Sequence, residues 1–481
     1  MKKVMACILS LVMLLSLCVP MTVTASAAEE RTVSYLGDAK ADTLWYEKDT
    51  DAKEFVLNSA AEFLGFRDLV NLGVTFRGVT VKLGCDIVIN EGDASEWSIQ
   101  TYGLNQWKPI GHSKSGKYTF SGTFDGQGHY ISGIYQNSIW DREYDASTFT
   151  SDISRGRDGG LFFHCSAATV KNFAIVNSVF INNGYTGTYR ATVNISADSQ
   201  GNASVVTRAN DTKVENVWSD ADVRGGYATG GIVAYLGGTS TVKNCVYTGT
   251  IDLSQAADCA GALVGCDNSA TTASVEDCLF AGTMILGKQY YSATKGIGAI
   301  VGTNGKIKVE RCVNAGTLQA QNGKDVATVG AISYSKNNAS ATYADSYYVN
   351  DFVANAKNEG NASASSIVAT NVSAVSRADL TSGNGLNALG NTWTKESGKL
   401  PMPKTVKDTF GAILDTDFGK LKPAVPTVDD AQSEETQPFE EETTTVEEGK
   451  KGCRSFLASA ALITVFGVGL GAAVACRKKE D

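Results

Sequence analysis

The short stretch WSDADVR is the most promising place for chemistry, because it puts an aromatic ring, two carboxylates and a guanidinium at alternate positions. Alternate side chains of an extended strand point to the same face. Trp218, Asp220, Asp222 and Arg224 are therefore predicted to form one stripe on the outside of a strand. Such a platform could bind a sugar or calcium, and paired carboxylates can also act as acid and base. A merely solvated outer face would show the same pattern.

A second stretch, FSGTFDGQGHYISGIY at 120–135, is glycine-rich and has the look of a phosphate-binding loop. A phosphate loop requires a strand, the glycines and then a helix, whereas another strand pattern follows here. We therefore predict a corner between strands, with Gly126 and Gly128 taking backbone angles that other residues resist. Asp125 and His129 are predicted to tie this corner by hydrogen bonds. The side chains predicted to point inward are Phe124, Ile131 and Ile134.

The signatures of hydrolytic enzymes are missing from the sequence. The chain has three histidines, His112, His129 and His164, and no HExxH motif, so zinc hydrolysis is not predicted. There is also no GxSxG motif and no recognisable Cys–His signature. We expect a protein that is not an enzyme and has no cofactor or metal site. The alternative is a carbohydrate-active β-helix enzyme, a polysaccharide lyase or glycoside hydrolase with carboxylates on an outer face.

An internal repeat of about 30 residues organises the middle of the chain. Each unit has a glycine-led apolar strand, a polar turn and a strand of the form Val–(Lys/Glu)–(Asn/Asp/Arg)–(Cys/Phe/Val). The aligned valines are Val170, Val214, Val242, Val275 and Val309. One such unit cannot bury its own apolar side chains, so units must stack as rungs about 4.8 Å apart. The repeat predicts an all-β fold, a right-handed parallel β-helix, over residues 75–350. A propeller would need longer blades.

Seven cysteines lie between the N-terminal leader and the acidic stalk, at positions 85, 165, 245, 259, 266, 278 and 312. Cys245, Cys278 and Cys312 occupy one repeat position, which Phe173 and Val217 fill elsewhere. A position that accepts Cys, Phe and Val is typical of a core, where cysteine behaves as a small apolar residue. Buried free thiols are thus predicted. Disulfides or a metal remain the alternative, although an odd number cannot pair completely within one chain.

The two ends of the chain carry targeting and spacer patterns rather than repeats. Residues 1–28 read as a secretory signal peptide, and the apolar, uncharged residues 455–475 are long enough to span a bilayer. Residues 427–449 contain nine acidic residues and no basic ones, as many as the formal net charge of −9. The body is therefore neutral, which argues against nucleic acid as a partner. The predicted segments are a capping region at 29–74 with a helix at 59–72, a C-terminal capping segment at 351–420, a disordered acidic stalk at 421–450 and a cytoplasmic tail at 476–481.

Several of these motifs resemble a known family. AAEFLGFRDLVN, VTVKLGCDI, WKPIG and FSGTFDGQGHYISGI look like the N-terminal part of bacterial surface proteins with GLUG motifs. GGLFFHCSAATVKNFAI, GGIVAYLGGTSTVKNC and IGAIVGTNGKIKVERC resemble the GLUG repeats themselves. The resemblance covers about residues 43–350. It implies a right-handed β-helix on a cell surface, often with adhesive roles, similar to regions that flank the zinc domain of immunoglobulin-A metallopeptidases. The zinc-dependent activity does not carry over, because the zinc motif is missing.

The sequence as a whole predicts a cell-surface protein of a Gram-positive-type cell. Its ectodomain is expected outside, on a single-pass membrane helix with a cytoplasmic C-terminus. The expected role is adhesion, binding or structure. Its expected partner is a polysaccharide or a host or cell-surface glycoprotein, held by Trp218, Asp220, Asp222 and Arg224.

Overall fold

The computed structural model describes twelve segments of the chain. They are residues 31–98, 101–111, 118–137, 159–182, 201–254, 257–267, 273–286, 291–302, 305–320, 329–334, 341–352 and 368–411. The predicted signal peptide, acidic stalk and membrane helix lie outside these segments. No helix in the described segments is long and apolar enough to cross a membrane.

Four sheets of parallel strands make up the body, and we call them sheets A to D. Sheet A is the longest. Its strands are Val33–Tyr35, Glu54–Leu57, Thr80–Leu83, Asp86–Val88, Thr123–Ser132, Thr169–Val176, Lys213–Ser219, Thr241–Lys243, Val246–Tyr247, Ala273–Glu276, Leu279–Phe280, Ile307–Glu310, Val313–Asn314, Thr342–Ala344, Tyr347–Val349, Val368–Thr370 and Ser373–Val375.

The other three sheets complete each turn of the chain. Sheet B contains Tyr135–Asn137, Val179–Asn182, Asp222–Gly225, Thr250–Leu253, Thr283–Leu286 and Thr317–Ala320. Sheet C contains Phe162–Ser166, Val206–Asn210, Val233–Gly237, Val264–Asp267, Val301–Gly302 and Ser333–Tyr334. Sheet D contains Gly201–Ala203, Ala228–Gly230, Ala257–Gly261, Tyr291–Gly298 and Val329–Gly330. From residue 201 onward the chain visits D, C, A and B in order and then returns to D, which confirms the predicted all-β coil of parallel strands.

Each turn bends within sheet A at one residue with a left-handed backbone. These residues, which we call the corner residues, lie two positions after the aligned valines, at the Asn/Asp/Arg position of the repeat. They are Asn172, Asn216, Asn244, Asp277, Arg311, Asp345 and Asn371, with φ between 50° and 58°. Asn and Asp tolerate this conformation better than other non-glycine residues. The polar position of the repeat therefore marks where Thr169–Val176 and Lys213–Ser219 bend and where the later rungs divide into two short strands.

The interior of the coil is a set of apolar ladders in register. Val170, Val214, Val242, Val275 and Val309 align across adjacent strands and are fully buried. Cys245, Cys278 and Cys312 form the next ladder, also with no exposed surface, and the Cys245 backbone N–H donates to Cys278 Sγ at 3.4 Å. All seven cysteines at the described positions are buried and free. The predicted ladder of buried thiols is confirmed, and burial raises the pKa of Cys278 well above its usual value.

A helix closes the N-terminal end of the coil. Helix α1 is Leu44–Glu47 and helix α2 is Ala60–Asn71, with a 3₁₀ turn at Ala94–Glu96. The Ser-x-x-Glu spacing of Ser59 and Glu62 predicts a capping box at the start of α2. Ser59 does cap the helix by accepting from the Glu62 backbone N–H, whereas the Glu62 carboxylate accepts from the Asn58 backbone N–H. Phe66 on α2 stacks on Phe124 inside the coil, with ring centroids 5.8 Å apart. Sheet pairing begins at Val33–Tyr35 and Glu54–Leu57, earlier than the predicted start at residue 75.

The C-terminal segment lies along the side of the coil. It contains helix α3 (Arg377–Ser382), a 3₁₀ turn (Asn387–Leu389), an antiparallel pair (Trp393–Thr394 with Met402–Pro403) and helix α4 (Lys404–Phe410). We call residues 376–411 the strap. The Tyr347 hydroxyl donates to Gly385 O, Thr392 bonds to Asp277, and Thr409 bonds to Asn216. The strap thus runs back over successive turns of sheet A, whereas the sequence had suggested a cap.

Candidate functional site

Trp218 does not form an exposed platform, so the predicted stripe is wrong in its central feature. It lies at the end of Lys213–Ser219 between Val217 and Ser219, and only 3% of its surface is exposed. Its indole N–H donates to Thr248 Oγ1 at 2.9 Å on the next turn. Alternation correctly separates Trp218 from its inward neighbours, but it says nothing about what covers the outer face. Packing from elsewhere in the chain buries this side chain.

The other three residues of the stripe also serve contacts within the fold. The strand ends at Ser219 and a new one, in sheet B, begins at Asp222, so the four residues straddle a corner. Asp220 Oδ1 accepts from the Asn177 backbone N–H at 2.8 Å. Asp222 pairs with Arg224 at 3.1 Å, and Arg224 also donates to Trp97 O at 3.0 Å. Asp220 and Asp222 are buried, which places both carboxylates out of reach of a bulky ligand.

The strap explains the burial of this flank. At one register position of sheet A the side chains point outward, and we call these side chains the outer row. They are buried over several turns. The members of the outer row are Ala174, Trp218, Val246, Leu279, Val313 and Tyr347. The strap contributes six buried apolar side chains to the same cluster, namely Leu380, Leu386, Leu389, Trp393, Val406 and Phe410. Helix α4 packs against strand Lys213–Ser219. The outer row and the strap therefore form an apolar layer on the outside of sheet A, which we call the second core and which is continuous with the interior of the coil.

Asp277 holds the strap at its centre. Its side chain is 1% exposed and lies in a bidentate pair with Arg311, at 2.8 and 3.0 Å. It also accepts from Thr392 Oγ1 at 2.9 Å and from the Trp393 indole N–H at 3.3 Å. Burial opposes ionisation, but the hydrogen bonds from Arg311, Thr392 and Trp393 outweigh it and lower the pKa of Asp277. A corner residue of the coil thus provides the charged anchor for a distant segment.

The FDGQGH stretch is a corner, as predicted. Phe124, Ile131 and Ile134 are fully buried. Asp125 accepts from the Gln127 backbone N–H at 3.1 Å and from Asn172 Nδ2 at 2.9 Å. Gly128 has a φ of 81°, whereas Gly126 is needed for a different reason. Any side chain at Gly126 would collide with Asn172 and Phe173 on the next turn.

His129 belongs to a polar cluster at the start of the described chain. Its Nδ1 lies 2.9 Å from Asp86 Oδ1, and the Arg31 Nε donates to the other oxygen at 2.8 Å. Asp86 is fully buried. Burial disfavours its charged form, yet the hydrogen bonds from Arg31, His129 and the Tyr130 backbone lower its pKa below the ordinary value. The cluster ties residue 31 to sheet A, and this use of Asp86 had no signal in the sequence.

The described residues contain no group of three or more His, Cys, Asp or Glu side chains that could hold a metal ion. His112 lies outside the described segments, while His129 and His164 are in different sheets. Burial and the nearby Arg208 charge lower the pKa of His164. The described histidines are therefore not brought together.

Comparisons with known proteins show limited likeness. No protein-family model matches the chain. No curated protein matches it either. The solved structure of a candidate immunoglobulin A1 protease from Bacteroides ovatus is similar at a TM-score of 0.48 and 18% identity, covering 74% of this chain and 93% of that chain. The pectin methylesterase from Aspergillus niger has a TM-score of 0.20 and 11% identity, covering 62% of this chain and 78% of that chain. At these values neither likeness bears on function.

Proposed function

We propose that this chain is a surface-displayed, extracellular protein, tethered through residues 455–475, whose parallel coil is right-handed and serves a binding or structural role. The GLUG-like motifs, the leader at 1–28 and the acidic residues at 427–449 support this proposal from the sequence. On this proposal the coil is not an enzyme. Its partner would be a polysaccharide or a surface glycoprotein.

The observation that carries the proposal is the attachment of the strap. Hydrogen bonds join it to the coil at Tyr347, Asp277 and Asn216, each on a different turn of sheet A. A mechanical force applied to the chain beyond residue 411 would therefore act on several turns of sheet A from the side. It would not peel the last rung away. A coil held by its C-terminal tail needs this kind of attachment, because sheet rungs pulled from an end can separate one at a time.

The burial of Trp218 removes the specific glycan platform that the sequence suggested. A partner of the displayed coil must instead contact surfaces outside the strap. Three described tyrosines near the N-terminal end are exposed and could contact a partner, namely Tyr35, Tyr102 and Tyr118, with 37%, 73% and 36% of their surfaces exposed. Tyrosine rings are well suited to polar ligands because they combine an apolar face with a hydroxyl.

Display can be tested by expressing the full chain in a Gram-positive host and adding protease to intact cells. We expect the coil to be accessible from outside and to stay with the membrane fraction. Deleting residues 455–475 should move it into the medium. A coil that is protected in intact cells, or one that stays membrane-bound after the deletion, would contradict the tethering.

Binding can be tested with the same cells on a panel of glycans and glycoproteins. The Tyr102→Ala and Tyr118→Ala variants should bind less than the parent, whereas Lys213→Ala, an exposed change on the flank, should not differ. Reaction products are measured in parallel. Cleavage of any polysaccharide by the purified chain would replace this proposal with the alternative of a carbohydrate-active enzyme.

A further inference from the structure

The last rung of the coil is open. Its strands are Val368–Thr370 and Ser373–Val375, and each pairs with one neighbour only among the described residues. Ala369 aligns with Tyr343, and Ala374 aligns with Tyr348; both tyrosines are buried. Ala369 and Ala374 are nevertheless exposed, as are Thr370, Asn371 and Ser373. Positions that are interior in the preceding turn therefore face solvent here.

Among the described residues, this edge lacks the features that usually prevent strands from associating. Natural sheets protect their edges with charged residues, proline or a covering element. Residues 361–376, NASASSIVATNVSAVS, contain no charged residue and no proline. The segment that could have covered the end instead turns at Ser376 and runs down the flank as the strap. The last rung thus presents backbone N–H and C=O groups, flanked by uncharged side chains. They have the same arrangement as the groups that pair adjacent turns inside the coil.

The other end of the coil cannot provide the matching surface. Helix α2 covers the interior there through Phe63 and Phe66. The neighbouring strands carry charged pairs, Lys82 with Glu54 at 2.7 Å and Arg31 with Asp86. Head-to-tail stacking would bring this charged, helix-covered end against an uncharged edge. Contact between two identical C-terminal edges avoids that mismatch and closes after two copies, as isologous interfaces do.

We propose that two copies of this chain associate through their last rungs, with Val368–Thr370 of one copy pairing with Ser373–Val375 of the other and the reverse. The two edges would run antiparallel about a twofold axis, and the exposed alanines would be covered by the partner. The ladder would continue across the interface, because antiparallel strands pair at least as well as parallel ones. This association does not depend on membrane tethering or on any ligand.

The test uses the full chain purified in detergent and sedimentation velocity to measure its mass. We expect a dimer of the parent chain and a monomer of Ser373→Lys, because each copy would then carry a lysine in the uncharged paired edge, and charged edge residues oppose strand association. Ser373 is exposed, so the variant should keep the parent's circular dichroism and melting temperature. A monomeric parent would overturn the proposal. A Ser373→Lys variant that stays dimeric would place the contact elsewhere, and an assembly larger than a dimer would contradict the isologous arrangement.

Cross-linking gives an independent readout on intact cells. Cells that produce the Thr370→Cys and Ser373→Cys chains together should form a disulfide-linked dimer under mild oxidation, because residue 370 of one copy lies opposite residue 373 of the other in the proposed pairing. Lys213→Cys, which is exposed on the flank, is the matched control, and the parent chain corrects for its own thiols. Equal cross-linking of the Thr370→Cys and Ser373→Cys pair and of Lys213→Cys would overturn the proposed interface.

Discussion

The two ends of the coil differ in what covers them. At the N-terminal end, helix α2 inserts Phe63 and Phe66 over the interior, and charged side chains border the first strands. At the C-terminal end, small uncharged residues occupy the last rung and remain exposed. The segment that follows covers the flank. A solenoid must keep both its interior and its outer apolar surface away from water. In this chain the N-terminal segment covers the interior, and the C-terminal segment covers the outer apolar surface.

The comparison predicts that the N-terminal closure contributes far more to stability than the last rung. Phe66 is fully buried among Phe76, Phe120 and Phe124. Phe66→Ala should therefore lower the free energy of unfolding by about 3–5 kcal/mol. Val372→Ala, a change in the half-buried last rung, should cost less than about 1 kcal/mol. Urea unfolding measures both values. Equal losses would mean that the last rung is as well packed as the capped end.

The flank under the strap should contribute about as much to the free energy of unfolding as the N-terminal end that helix α2 covers. Because Trp218 is buried, Trp218→Ala should also destabilise the chain by about 3–5 kcal/mol. An exposed binding platform would instead lose ligand binding without unfolding. Asn210→Ala, at a nearby exposed position, is the control and should have little effect. If Trp218→Ala leaves the urea midpoint unchanged, the residue is not part of the second core.

Asp277 is expected to have a smaller and more local effect. Asp277→Ala removes the acceptor for Arg311, Thr392 and Trp393, and it leaves a partly buried guanidinium without that partner. We expect a loss of about 2–3 kcal/mol, less than for a deeply buried pair because Arg311 is partly exposed. Hydrogen exchange measured by mass spectrometry should rise over residues 377–411 and change little over 60–71. A uniform rise over both segments would show that the strap is not a separable unit.

The smallest expected effect is the pH dependence of the strap. The folded pKa of Asp277 is below the ordinary value of about 3.9. Its contribution to stability is therefore fully present above that pH and is lost as the pH falls through the folded pKa. Hydrogen exchange of residues 377–411 should increase below about pH 3.9. In Asp277→Asn this part of the pH dependence should disappear. An unchanged profile in the variant would assign the effect to other carboxylates.

Much of the coil could be predicted because its signals are local and repeated. The aligned valines and the shared Cys/Phe/Val position marked the interior, and Ser59 with Glu62 marked the start of α2. The bend at the Asn/Asp/Arg position was not predicted, since the repeat was interpreted there as one strand. The strap could not be predicted in this way. Its contacts join residues such as Asn216 and Thr409, which are 193 positions apart, and no periodicity connects them. The alternation of side chains along the strand assigned Trp218 to the outer face. Whether that face is covered depends on the strap, which is distant in the sequence.

A disulfide between residues 216 and 409 would test the position of the strap most directly. Asn216 Nδ2 and Thr409 Oγ1 are 2.8 Å apart, so cysteines at these two positions should cross-link under mild oxidation. Asn244→Cys with Thr409→Cys is the matched control, one turn away in sheet A. The structure predicts efficient cross-linking of the 216–409 pair and little of the 244–409 pair, seen by peptide mapping. Absence of the 216–409 cross-link, or equal yields for both pairs, would contradict the strap on the flank.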